Sequence, residues 1–184
     1  MTSRIRPLTP GELAPDQRAL YDTIVGGPRA QGPQHFALTS TDGSLRGPFD
    51  VMLRSPAVGT AQQELGAAIR YRTGFTDRMR ELAILLVATR WSSAFERESH
   101  EAIARAIGFG DLELAALRVS DVSDFAGDER VVGRAVIALL DGDLSDELWS
   151  ETSVTIGVDG VFELTALVGY YSTLALQLRV FRAD

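Results

Sequence analysis

The chain has 184 residues, of which 45% are hydrophobic and 23% charged, and it carries a formal net charge of −7. This size and composition are typical of one globular domain with a sizeable core, so we expect a single domain over residues 1–184. The acidic balance offers no basic surface to a phosphate backbone, which argues against nucleic-acid binding. Small molecules and protein partners remain as the expected ligands.

Cysteine, lysine and asparagine do not occur in the chain, so all 18 positive side chains are arginines. Without cysteine there is no disulfide, no thiolate nucleophile and no thiolate metal site. Without lysine there is no Schiff base, no anchor for pyridoxal phosphate and no P-loop. If the protein is an enzyme, we therefore expect cofactor-free proton transfer by histidine and carboxylates.

No stretch of the sequence approaches the roughly 20 consecutive apolar residues of a membrane span. The first residues also lack the apolar core of a signal peptide. We therefore expect a cytoplasmic protein with no membrane segment.

Helical periodicity dominates the chain and no segment alternates like a half-buried strand, which predicts an all-α bundle of about six to eight helices. The first helix is predicted over Pro10–Val25, before two glycines and a proline. Residues 28–48 are irregular, and two interpretations stay open: a lid over a site, or a mobile surface loop. We thus divide the domain into an N-terminal part, residues 1–45, and a helical core, residues 46–181.

Further helices are predicted in the core, over residues 56–72, 77–90, 94–107, 112–117, 129–140, 146–152 and 161–181. Ser55 and Thr76 are the expected N-caps of the first two. Residues 82–88 are all apolar, which places the helix 77–90 at the centre of the core.

His100 is one of only two histidines, the residue type whose charge changes near neutral pH. It shares a predicted helix face with Ile103 and Ile107, so it should point inward. Glu96 lies one turn earlier on that face, and Glu81 lies on the apolar face of the preceding helix. Buried groups of this kind must hydrogen-bond to one another and shift each other's pKa, which predicts an acid–base site.

Ser93 adds a hydroxyl at the start of the His100 helix, where free backbone N–H groups favour negative charge. A structural alternative stays open, because Ser93 and Glu96 have the spacing of a capping box and could merely satisfy backbone donors. Glu96 and His100 could also form an ordinary pair on a helix edge, and Glu81 could pair with an arginine such as Arg80 or Arg105.

No metal site is predicted. His100-Glu101-Ala102-Ile103-Ala104 lacks the second histidine of the zinc-protease helix motif. The other histidine, His35, is far away in sequence and is expected to be solvated.

Several motifs, taken in their order and spacing, resemble the carboxymuconolactone decarboxylase family, which includes the alkylhydroperoxidase D-like proteins. They are Gly47-Pro48-Phe49, Ser55-Pro56, Arg80–Leu85, Phe95–Ala104, Gly108 and Val168–Tyr171. The resemblance covers roughly residues 45 to 181.

In the peroxidase branch of that family the site is a glutamate, a Cys-x-x-Cys pair and a histidine. The matching positions here are Glu81, Ser93, Glu96 and His100, so both thiols are replaced and peroxide reduction through a dithiol is excluded. The decarboxylase branch commonly carries Tyr-Glu-Trp-x-x-His, and this chain has Phe95-Glu96-Arg97-Glu98-Ser99-His100. The glutamate and the histidine are kept, while the aromatic residues around the glutamate change.

The resemblance implies all-α subunits that assemble as trimers or hexamers, and a cofactor-free decarboxylation of a lactone acid. His100 would then donate or accept the proton, with Glu96 and Glu81 setting its protonation state. The substrate carboxylate would bind an arginine, since the guanidinium fork bonds two oxygens at once. The candidates, which the sequence does not rank, are Arg72, Arg78, Arg80 and Arg97.

Two other functions stay open. The same site could run an isomerisation, cyclisation or dehydration in a biosynthetic pathway. Alternatively, the chain could be a non-catalytic ligand-binding or assembly protein with a decayed peroxidase site. The apolar segment Leu164–Val180 fits either an oligomer interface or the core of a monomer.

Overall fold

The computed structural model describes residues 3–27, 31 and 36–183. These residues contain eight α-helices and no strand, which confirms the all-α class, and one isolated antiparallel bridge joins Thr39 and Leu45. A 3-10 turn at Pro10–Glu12 precedes the helices. They are α1 (Pro15–Gly26), α2 (Pro48–Met52), α3 (Pro56–Tyr71), α4 (Asp77–Trp91), α5 (Ala94–Ala106), α6 (Asp111–Leu117), α7 (Gly127–Asp141) and α8 (Asp146–Phe181).

The chain forms two compact units, one of residues 1–67 with 176–184 and the other of residues 68–175. In the first unit, Leu20 and Ile24 of α1 are buried. Gly59, in the first turn of α3, lies against both α1 and α2. A Cβ at Gly59 would lie 2.4 Å from the Met52 carbonyl oxygen and 2.8 Å from Leu20 Cδ2, so only glycine permits this packing.

The first helix begins later than predicted. Pro15 occupies its first position, and Ala14 before it is extended, with φ −64° and ψ 161°. A residue that precedes proline avoids the helical region, so residues 10–12 form a separate turn instead of the start of α1.

Helix α4 lies at the centre of the second unit, as its apolar composition predicts. Leu82, Ile84 and Leu86 have no exposed surface, and α4 packs against α5, α6 and α7. The predicted cap is confirmed, because the Thr76 hydroxyl accepts the Met79 N–H at 3.1 Å. Only two residues connect α4 to α5, and the first adopts a left-handed conformation, so the two helices are immediate neighbours.

Helix α8 joins two segments that were predicted separately, residues 146–152 and 161–181. Its only non-helical residue is Gly157, with φ 74° and ψ 164°. Glycine adopts this backbone at no steric cost, so the helix breaks there and resumes at once. By length and composition α8 could cross a membrane, but core helices of soluble proteins can have the same length and composition. In α8, 33% of the apolar 18-residue stretch is buried.

The segment 28–48, for which a lid and a mobile loop stayed open, lies partly outside the described residues, which omit 28–30 and 32–35. His35 belongs to this part of the chain, and its solvation stays a prediction. Residues 38–46 of the same segment form a tight turn, in which the Arg46 N–H donates to the Leu38 carbonyl at 3.0 Å.

Candidate active site

Glu81 of α4 and His100 of α5 form the centre of the site. The Nδ1 atom of His100 lies 2.6 Å from Oε2 of Glu81. Glu81 has no exposed surface and His100 is only 4% exposed. A carboxylate can only accept a hydrogen bond, so Nδ1 carries the proton and donates it. The contact therefore fixes the orientation of the imidazole and leaves Nε2 as the nitrogen that faces away from Glu81.

Glu96 lies on the Nε2 side of the ring. Its Oε2 is 3.5 Å from His100 Nε2, at the outer limit of a hydrogen bond, and its other oxygen, Oε1, is buried without a hydrogen-bond partner. Glu96 is 3% exposed, so this is a buried pair and not the helix-edge pair considered from the sequence. Nε2 thus faces a carboxylate without being tightly bound to it.

The charges of these groups support one another. Burial raises the pKa of the Glu81 carboxyl, but the His100 charge and hydrogen bond, with Arg70 and Arg80, outweigh burial and hold it below 4.5. Burial lowers the pKa of His100, but Glu81 and Glu96 outweigh it and raise that pKa above 6.5. His100 therefore favours the imidazolium form, in which both ring nitrogens are proton donors.

Two tyrosines of α8 lie against the imidazole. The rings of Tyr171 and His100 meet edge to face, with centroids 5.3 Å apart and an interplanar angle of 87°. Tyr170 packs against Tyr171 in the same manner, with centroids 5.2 Å apart. Both tyrosines are buried. They belong to a motif that resembles the family, but the sequence did not assign them to the site, because no local pattern predicts contact between α5 and α8.

Arg70 is a further cation whose charge acts on Glu81, and the sequence did not single it out. It lies in the last turn of α3, next to the buried Ile69, and its side chain is half-buried. Burial lowers the pKa of its guanidinium, but its interactions with the Tyr171 and Tyr71 hydroxyl groups and with the Glu81 carboxylate outweigh burial and raise it. Its Nη1 atom is buried and has no hydrogen-bond partner. The only sequence signal was an arginine beside a core position.

Arg80 lies beside the same carboxylate. Its Nε is 3.8 Å from Oε1 of Glu81, too far for a hydrogen bond, while its Nη2 pairs with the exposed Asp77 on the outer side. Both Arg80 Nε and Glu81 Oε1 are buried, and neither has a hydrogen-bond partner. The sequence alternative in which Arg80 is the main partner of Glu81 therefore does not describe this carboxylate, whose close contact is His100.

Unpartnered buried atoms are concentrated at this site. In the described part of the chain, buried side-chain nitrogen and oxygen atoms that lack a hydrogen bond include Glu81 Oε1, Glu96 Oε1, Arg70 Nη1 and Arg80 Nε. Such atoms are rare in folded proteins, because each costs the free energy of desolvation without compensation. Glu81 Oε1 and Glu96 Oε1 belong to the two carboxylates that flank His100, and Arg80 Nε lies beside Glu81, which is the pattern expected where a ligand supplies the missing partners.

Ser93 caps helix α5. Its hydroxyl accepts the Glu96 N–H at 3.5 Å, while its own N–H donates to the Ala88 carbonyl at 2.9 Å. Only half of the predicted capping box is present, because the Glu96 carboxylate turns to His100 and does not return to the Ser93 backbone. Ser93 is 4% exposed, and its observed contact is the structural one.

The remaining predicted arginines differ in their surroundings. Arg78 pairs with Glu129, at 2.7 Å, and with Glu113, and its guanidinium lies over the Phe109 ring, so its contacts are structural. Arg72 is exposed. Arg97, on α5, is half-buried and forms no side-chain ion pair within the described ranges.

A separate cleft of about 400 Å³ lies at the start of α4. Phe75, Met79 and Ile156 line it together with Asp128, Asp159 and Glu163. None of the site residues above lines this cleft, and no arginine does. Its acidic wall repels carboxylates, so it does not match the ligand that the sequence predicts.

Among the described residues, no group of three histidine, cysteine, aspartate or glutamate side chains is arranged to hold a metal ion.

No protein-family model matches the sequence, and no curated protein is similar to it. Solved structures do match, among them a cysteine-to-alanine variant of the debrominase Bmp8 in complex with 2,3,4-tribromopyrrole. The two chains superpose with a TM-score of 0.71 at 14% sequence identity, over 100% of this chain and 92% of that chain. At this identity the likeness shows a shared fold.

Proposed function

We propose that this protein is a cofactor-independent lyase that removes carbon dioxide from a small lactone acid or related carboxylic acid, with His100 as the proton donor. The observation that supports this most directly is the buried arrangement of His100 between Glu81 and Glu96, at 2.6 Å and 3.5 Å. A buried, charge-coupled histidine of this kind is typical of acid–base catalysis.

Each residue has a distinct role in the proposed reaction. The bond between the substrate carbon and its carboxyl group breaks, and its electron pair moves into the conjugated system of the substrate. The Nε2 proton of His100 then adds to that system, and carbon dioxide leaves. Glu81 stabilises the imidazolium before transfer, and Glu96 stands beside Nε2, where water returns a proton afterwards.

Two further observations support the proposal. Glu81, Glu96 and His100 occupy the positions of the glutamate, second cysteine and histidine in the family that the sequence resembles. The fold is also shared with a debrominase that binds a small planar ring, 2,3,4-tribromopyrrole. This chain has no cysteine, so a thiol-dependent reaction is not available to it.

The test is release of carbon dioxide from a panel of lactone acids and β-keto acids. The wild-type protein should decarboxylate at least one acid, and His100→Gln should lower kcat by about 100-fold or more. His35→Gln, which replaces the other histidine of the chain, is the matched control and should keep its activity. Equal rates for wild type and His100→Gln would refute the role of His100.

The same panel in heavy water separates the lyase from the alternative functions. Deuterium at the carbon that lost the carboxyl group supports decarboxylation. Deuterium exchange with retention of the carboxyl group would instead indicate an isomerase that uses the same histidine. Failure of every acid to react or exchange would contradict the lyase proposal and favour a binding protein.

A further inference from the structure

The cleft at the start of α4 has the size of a small-molecule site. Its volume of about 400 Å³ lies within the range of ligand pockets, and all of its lining residues belong to the unit of residues 68–175. Phe75 and Met79 are buried in its wall, and Ile156 of α8 adds a half-buried apolar side chain. Because a concave apolar wall gains free energy when it is covered, the cleft favours a ligand with a hydrocarbon part.

The polar part of the cleft is negatively charged. Asp128, Asp159 and Glu163 line it, and no arginine does. In the part of the chain that the structure describes, none of these three carboxylates forms an ion pair. Glu163 is half-buried, and its Oε2 accepts the Gly74 N–H at 3.0 Å. Solvent screens a partly buried charge less than an exposed one, so the cleft attracts a cation.

The nearby helix terminus does not neutralise these charges. Helix α4 begins at the cleft, and the N-terminus of a helix is equivalent to about half a positive charge. The Thr76 hydroxyl already accepts the Met79 N–H, and Asp77 adds a further carboxylate in the first turn. The three carboxylates of the cleft therefore exceed the charge that the terminus can balance.

We propose that this cleft is a second ligand site, which binds an organic amine. The ammonium group pairs with Glu163 and the two aspartates, and the hydrocarbon part covers the apolar wall. A metal ion fits less well, because no three acidic or histidine side chains among the described residues are arranged to hold one. The acidic lining repels carboxylic acids, so this ligand differs from the substrate of the proposed lyase. The inference goes beyond the proposed function and does not depend on it.

Calorimetry with benzylamine tests the site. Benzyl alcohol keeps the ring and lacks the charge, while methylamine keeps the charge and lacks the ring. The wild type should bind benzylamine about tenfold more tightly than either control, and raising the salt concentration from about 20 mM to about 500 mM should weaken that binding.

The variants place the amine in the cleft. Glu163→Gln should weaken benzylamine binding by about fivefold or more, because the amide keeps an oxygen for the Gly74 N–H and loses only the charge. Glu64→Gln, which removes an exposed carboxylate outside the cleft, is the matched control and should bind as the wild type does. His100→Gln should also bind benzylamine normally, so this site and the proposed lyase fail on different data.

Several results would overturn the inference. They are no binding of benzylamine at millimolar concentration, binding of either control as tight as that of benzylamine, undiminished binding to Glu163→Gln, and an equal loss in Glu64→Gln, which would indicate general attraction to an acidic surface. Loss of binding in His100→Gln would place the amine at the histidine instead. Thermal melts identify a variant that fails to fold. If Glu163→Gln does, the double variant of the exposed Asp128→Asn and Asp159→Asn carries the test, and unchanged binding there would overturn the inference.

Discussion

His100 Nδ1 and Glu81 Oε2 are 2.6 Å apart, and both side chains are excluded from solvent. One contact between two neighbouring helices thus orients the imidazole of the only described histidine and favours its charged form. The proposed proton transfer depends on that pair.

Replacing Glu81 by glutamine should lower the pKa of His100, because the main carboxylate that stabilises the imidazolium is lost. The variant should also be less stable by about 1–3 kcal/mol, since a buried charge-assisted hydrogen bond is removed. An NMR titration of the His100 ring and denaturant unfolding measure the two effects. In a double-mutant cycle with His100→Gln, a coupling near zero would show that the contact contributes nothing.

The stability that this pair contributes should depend on pH in a defined window. The folded pKa of His100 lies above 6.5, so its contribution is complete below 6.5 and is lost as pH rises through the folded value. The folded pKa of Glu81 lies below 4.5, so its contribution is complete above 4.5 and is lost as pH falls through the folded value. The difference in Tm between wild type and His100→Gln should therefore be greatest between pH 4.5 and 6.5. A difference that grows above that range would contradict the raised pKa of His100.

Glu96→Gln should lower the pKa of His100 by less than Glu81→Gln does, because its oxygen is 3.5 Å from Nε2 and not 2.6 Å. The alkaline limb of the pH–rate profile should move to lower pH by the same amount. Glu98→Gln, which removes an exposed carboxylate of the same helix, is the matched control and should leave both unchanged. An unmoved His100 pKa in Glu96→Gln would remove Glu96 from the site.

Replacing each of two glycines by alanine should change the stability of the protein in opposite directions. Gly59→Ala forces a Cβ to within 2.4 Å of a backbone oxygen and should destabilise the protein by about 1–3 kcal/mol. Gly169→Ala, within α8, meets nothing within 4 Å and should stabilise the protein by about 0.5–1 kcal/mol. Denaturant midpoints measure both. Equal effects at the two positions would show that α3 can move away from α2.

The family resemblance implies a trimer or hexamer, and Phe162 of α8 is 74% exposed in the single chain. We expect light scattering to give a trimeric or hexameric mass, and Phe162→Asp to reduce it. Thr165→Asp places the same charge at another exposed position of α8 and serves as the control. A monomeric wild type at micromolar concentration would contradict the oligomer prediction.

Most of the helices, and several of their ends, were predictable because their causes are local. Thr76 and Ser93 cap the helices that follow them, as short-range hydrogen bonding requires. The predicted start of α1 was wrong. Pro15 keeps the residue before it out of the helical region, although the helical pattern of the sequence continues across this point. The continuity of α8 across Gly157 was missed because a glycine in this sequence context signals a break, and the backbone restores the helix one residue later.

The sequence by itself determined the type of chemistry: one helix face carries His100 and Glu96, and the absence of cysteine and lysine excludes thiol and amine catalysis. Only the tertiary structure decided that Glu81 accepts the Nδ1–H of His100, that the Glu96 carboxylate turns to the histidine instead of its helix cap, and that Tyr171 packs against the imidazole. The physical reason is one of range. Helix caps and faces depend on neighbours within a turn, whereas the partner of a buried charge depends on which helices pack together, and that packing is set by the whole apolar core.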